Sequence, residues 1–309
     1  MANSSVSYLS SKKNIIAIFL LILTTILWGT SFILTKNITQ DIPIFLYMGL
    51  RFAIALIGFV PFSFHLKNLN KKTILMSIIT GMLYFFGLAV QTHGLQTTTA
   101  GKAGFITGLS AIIVPFITWI GFKKSISRRI WIAVALSVLG LAFLFLESES
   151  GIIIGDLIVL ISAFIWAFYI IYNDKYVRIV DIYTYSIIQI FVVSSASFFT
   201  SFLIQESFIL TSYPITHWYI MIYLGIVVMT LTVLFQNWSQ RYQNPIRVAI
   251  IFTLEPVFAA LFGFLIGNEI LSVFAWIGCG LIFIAILITV LKSEDDNEKA
   301  DKTSLEIYK

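Results

Sequence analysis

A chain of 309 residues in which 59% are hydrophobic and only 11% charged, with a mean hydropathy of +0.94, cannot present an ordinary water-facing globular surface. Its formal net charge of +5 does not point to nucleic acid, because the lysines and arginines stand beside apolar stretches, where they act as topology signals. A single cysteine, Cys279, excludes an internal disulfide and a thiol metal cluster.

Lys12 and Lys13 precede an apolar run at 15–35 that is too long for a signal-peptide core and lacks a small-residue cleavage site, so it reads as a first permanent span. Nine further apolar stretches follow, at 44–64, 73–90, 103–122, 130–146, 155–172, 182–204, 217–235, 248–266 and 271–291. A hydrocarbon core of about 30 Å takes roughly 20 helical residues, and lipid leaves helices as the natural spanning form of such stretches. The expected fold is therefore an all-α integral membrane protein with ten transmembrane helices. Of the 20 basic residues, alternating sides collect 17 against two, Lys36 and Lys102, with Arg51 inside a span. Short cytoplasmic loops retain Lys and Arg, so both termini are expected in the cytoplasm, most simply at the plasma membrane. Residues 1–14 then form a cytoplasmic segment, 147–154 a linker, and 292–309, polar and mixed in charge, a disordered cytoplasmic tail.

The chain also repeats itself weakly. Trp28 corresponds to Trp166, Pro115 to Pro256 and Trp131 to Trp276, in the same order at offsets of 138, 141 and 145 residues. An odd number of spans per copy turns the second copy upside down in the membrane, which predicts two inverted five-helix repeats at 15–146 and 155–291.

The run Arg247-Val-Ala-Ile-Ile-Phe-Thr-Leu-Glu-Pro-Val-Phe-Ala-Ala-Leu261, followed by Gly267-Asn268-Glu269, resembles the Leu-Glu-Pro-Val-Phe-Ala core and Gly-x-Glu turn of the EamA-type drug/metabolite transporter family. Thr98 to Thr107, continuing to Pro115, is similar to the equivalent first-half segment. Lys123 and Lys124 stand near where many relatives carry the turn glutamate, so that motif survives only in the second copy. The resemblance implies ten helices in two inverted repeats and transport of small metabolites, amino acids among them.

Glu255 and Arg51 are ionisable residues within spans, where a charge costs at least a few kcal/mol unless paired, hydrated or neutralised. Glu255 is either a proton-coupling carboxylate or a hydrogen-bonded structural one. Arg51 snorkels, pairs with a carboxylate such as Glu255, or holds an anionic group of the cargo. Trp28 and Trp166, with Tyr84, Phe105 and Tyr169, either line a cavity or fill the core. Pro115 and Pro256 mark paired helix interruptions, read as hinges or as tolerated kinks. Gly104 with Gly108, and Gly263 with Gly267, form small-residue helix faces. Gln91, His93, Asn237 and Gln240 decorate span ends as pore-mouth groups.

The chain carries no Gly-x-x-x-x-Gly-Lys-Ser/Thr phosphate loop, no His-Glu-x-x-His and no Gly-x-Ser-x-Gly, and it implies no cofactor or metal. The reading is a secondary transporter, not an enzyme, that moves a small metabolite, more readily outward, by alternating access with protons as a coupling partner. A channel or a flippase for lipid or lipid-linked solutes is the alternative.

Overall fold

The computed structural model describes residues 2–98, 100–123, 125–145, 152–208, 213–267 and 272–290. Among the described residues every regular element is helical. Among the described residues eight helices are long and apolar enough to cross a membrane, or nine if a sharply bent pair counts as one span. The tail at 292–309 and residues 147–151 of the expected linker lie outside the described residues, as do the surroundings of Gly263 and Gly267.

Helix α1 (Ala2–Ile38) runs through the segment at 1–14 that the sequence sets apart, so this piece and the first span are one helix. Helix α2 (Ile44–Gly58) stops short of the expected 64, and the chain turns by 77° into a 3-10 helix, Val60–Asn68. Pro61 is the local cause: it has no amide hydrogen to give the Ile57 carbonyl, and its ring crowds that carbonyl in a continued α-helix. Asn70 caps α3 (Lys71–Leu95) by accepting a hydrogen bond from the Thr73 amide at 2.7 Å.

The expected fourth span is interrupted at Leu109 into α4 (Ala100–Gly108) and α5 (Ser110–Phe116), and continues as a π-helical turn, Ile117–Gly121. Helix α6 (Arg128–Phe145) is followed by α7 (Ile154–Val177), whose Asp156 carboxylate accepts from the Ile153 amide. Asp181 caps α8 (Ile182–Leu203). The next span joins α9 (Ile215–Ile222) to α10 (Leu231–Gln240) through a π-helical stretch, Tyr223–Thr230. There the Thr230 hydroxyl contacts the Gly225 and Ala55 carbonyls at 3.3 and 2.9 Å, tying the widened turn to α2. Asn244 caps α11 (Pro245–Phe252), a break at Thr253 separates it from α12 (Leu254–Gly267), and α13 (Val273–Val290) follows.

Loop contacts sort into two faces. On one, Gln243 donates to the Asn14 carbonyl, Arg241 to the Val177 and Val180 carbonyls, and Arg129 to the Ile288 carbonyl, while His65 lies 3.3 Å from Asp181. On the other, Lys36 donates to the Thr98 carbonyl, Gln96 to Thr39, and Glu206 accepts from the Phe45 and Leu46 amides. Lys102, buried on that second face, pairs with Asp156 at 3.5 Å, and Thr98 donates to the same carboxylate.

Helices α6 and α13 pack through glycine. A Cβ on Gly140 would stand 2.7 Å from the Gly278 carbonyl oxygen and 2.7 Å from Ile282 Cγ1. Such close approach is a usual way for helices to associate in lipid. Gly140→Ala should therefore lower stability by about 1–3 kcal/mol, as overpacking does. Gly101→Ala, with nothing within 4 Å of the new methyl, should leave it unchanged. Thermal unfolding of the detergent-purified variants measures both.

Candidate functional site: a mixed-charge aromatic cavity

Helices α1, α2, α3, α4, α5, α7, α10, α11 and α12, with the π-helical stretch before α10, contribute side chains to one cavity, with about 760 Å³ of empty space when the open solvent at its mouth is included. Trp28, Arg51, Tyr84, Trp166, Tyr169 and Glu255 all line it. Phe105 does not: α4 turns Thr107 and Gly108 toward the space, and Phe105 packs against the apolar cluster of Phe32, Leu95, Ala103, Ile106 and Val159.

The aromatic wall is held by edge contacts. Tyr84, Trp166 and Tyr169 meet pairwise, with ring centroids 5.0, 5.1 and 5.6 Å apart and planes near perpendicular. Gly87 makes room for this group, since a Cβ there would stand 3.1 Å from Trp166 Cε2. Across the space Trp28 lies edge-on to Phe252 at 4.9 Å, and its indole nitrogen donates to Thr232 at 3.1 Å.

Two ionisable side chains enter this wall separately. Arg51 is buried, its Nη1 donating to the Tyr47 hydroxyl at 2.9 Å and to the Thr35 hydroxyl at 3.3 Å, while its Nε has no partner. Of the three alternatives for Arg51, pairing with a carboxylate such as Glu255 is not what the structure holds, because no described carboxylate forms an ion pair with it. Glu255, in the first turn of α12, receives no hydrogen bond from a described residue and opens onto the cavity. An arginine and a glutamate thus share one chamber without a direct ion pair.

The paired prolines stand behind the wall. Pro256 follows the break at Thr253, is buried, and lies 3.5 Å from the position a Cβ on Gly104 would take. It deprives the Phe252 carbonyl of its helical donor. Pro115 is buried in α5, between the break at Leu109 and the π-helical turn. The helix breaks themselves fall at Leu109 and Thr253, ahead of each proline.

Asn237 and Gln240 are buried and do not decorate a pore mouth. Asn173 donates to both, Asn237 also donates to Ser186 at 2.8 Å, and the Tyr185 hydroxyl donates to Asn173 at 2.8 Å. Gln240 in turn donates to the carbonyl of Ile170, a residue lining the cavity. This network of amides lies between the chamber and the face that carries Asn14 and Gln243. His93 is exposed, and Gln91 lines the cavity while donating to Thr107 at 2.7 Å. Gln236, also in the lining, escaped the sequence reading, although a glutamine late in an apolar span is itself a signal. Among the described residues no group of three or more His, Cys, Asp or Glu side chains is arranged to hold a metal.

The sequence profile of the EamA-like transporter family matches the chain twice, over residues 15–146 and 153–291. An uncharacterized transporter of Archaeoglobus fulgidus is 31% identical over 272 residues, covering 88% of this chain and 85% of that protein. The uncharacterized transporter YoaV of Bacillus subtilis is 23% identical, covering 85% of this chain and 92% of its own. The uncharacterized inner membrane transporter YedA of Escherichia coli K12 is 23% identical, covering 86% and 88%. A solved crystal structure superposes with a TM-score of 0.74 at 17% identity over 91% of this chain and 97% of its own, a likeness of fold. With both halves matched by one profile and apolar helices around a shared chamber, this chain is an integral membrane protein that belongs to the EamA-like transporter family.

Proposed function

We propose that the protein is a secondary carrier for a small zwitterionic metabolite of the amino-acid type. It works by alternating access between two inverted five-helix repeats, 15–146 and 155–291, with α6 as the fifth of ten spans. Both termini lie in the cytoplasm, the membrane is the plasma membrane, and the direction is export. The observation that carries the cargo class is the pair Arg51 and Glu255, which face one aromatic chamber without pairing with each other. A zwitterion offers each of them its counter-charge, which offsets the cost of charge inside a membrane. Glu255 takes up a proton when the cargo leaves and gives it up when cargo binds, which couples the two movements.

The two loop faces support the alternation of spans, and the double profile match supports the duplication. The breaks at Leu109 and Thr253, one in each half, supply matched points at which the bundles flex. The amide network around Asn173 is the closed gate in this picture.

The test uses the full chain in proteoliposomes preloaded with mixed amino acids. Saturable counterflow is expected, and conductance without saturation would replace the carrier with a channel. Arg51→Met should raise the half-saturation concentration about 10–100-fold, the equivalent of a lost charge-assisted hydrogen bond. Glu255→Gln should keep exchange but lose stimulation by a pH gradient; stimulation that persists removes the coupling role.

The gate has its own check. Asn173→Leu takes the donor away from the side-chain carbonyl oxygens of Asn237 and Gln240, at about 1–3 kcal/mol for each buried group left unpaired. A lower melting temperature, together with faster labelling of a cysteine introduced at Gln236 from the face of Asn14, is the expected result.

A further inference from the structure

We propose that Gln236 is a specificity-determining residue: with the Trp166 indole N–H it forms an uncharged polar subsite that reads a hydrogen-bonding group on the cargo's side chain. This rests on the reading of the chamber as the cargo site. Gln236 is 1% exposed and lines the chamber, yet neither end of its amide has a hydrogen-bond partner. The buried Trp166 Nε1 is also without a partner.

Both side chains line the same chamber, Trp166 from α7 and Gln236 from α10, and the two helices are joined just beyond them by the bond from Gln240 to the Ile170 carbonyl. On the other side Trp28 donates to Thr232, one turn before Gln236, so that indole is already satisfied and Trp166 is not. Buried polar groups left unpaired in a native fold are few, and each needs an occupant or a cost. Arg51 and Glu255 take the charged ends of a zwitterion, which leaves this amide and indole, with the unpartnered Tyr169 hydroxyl, for its side chain. A purely apolar side chain would strand them, so the subsite favours an amide or hydroxyl over a methyl-bearing isostere.

Counterflow into proteoliposomes is measured for two isosteric pairs, leucine with asparagine and valine with threonine, and for the decarboxylated amine and deaminated acid of each. In the wild type the polar member of a pair should be favoured about 3–10-fold, the worth of one net hydrogen bond. Gln236→Met should bring that ratio to one. Because the ratio is taken within one preparation, partial misfolding of the variant cancels. A ratio unchanged by Gln236→Met, or a wild type without preference, overturns the subsite. If the amines or acids move as well as the zwitterions while the Gln236 effect persists, the charge-pair reading fails and the subsite stands. Movement of no compound overturns both.

Discussion

Hydrocarbon offers no hydrogen-bond partners, so every polar atom that a helix carries into a bilayer must be met by the protein or by water in a chamber. This chain carries many such atoms, because its spans hold amides, hydroxyls, an arginine and a glutamate among the apolar residues. Several are met locally: Thr24, Thr25, Ser77, Thr118, Ser197 and Thr289 turn their hydroxyls back to carbonyls three or four residues earlier. Among the others stand a tightly bonded amide network around Asn173 and a looser set around the cavity. That division separates a part of the molecule that holds helices together from a part that has bonding capacity to offer.

The same constraint explains where the backbone can be irregular. The breaks at Leu109 and Thr253 and the π-helical stretch Tyr223–Thr230 all lie on helices packed within the bundle, and Thr230 meets the Gly225 carbonyl inside the widened turn and the Ala55 carbonyl of α2. The sharp bend after α2 falls instead in the segment that leads to Lys67, Lys71 and Lys72. Close glycine contacts, as at Gly140 and Gly87, let helices approach and make space for a large aromatic ring.

Charge at the helix ends is fixed in place. Lys36 and Lys102 are held by the Thr98 carbonyl and by Asp156, which links the start of α4 to the start of α7. On the other face arginines cap the carbonyls that helices leave open at their ends, as Arg241 does for Val177 and Val180.

How much of this was legible beforehand follows from the range of each interaction. Apolar run length and the distribution of lysine and arginine are properties of the linear chain, so the membrane class, the helical fold and the family resemblance could all be read from it. Mid-span charge and aromatic content likewise named Arg51, Glu255, Trp28, Tyr84, Trp166 and Tyr169 as candidates. Which of these share a chamber depends on helix rotation and crossing, which neighbouring helices set through packing. So only the tertiary structure turned Phe105 into the apolar interior, kept Arg51 off Glu255, drew Asn237 and Gln240 into a buried network and left Gln236 without a partner. Pro61 was visible in the sequence, but whether a proline bends a span or ends it is decided by what the neighbouring helices allow.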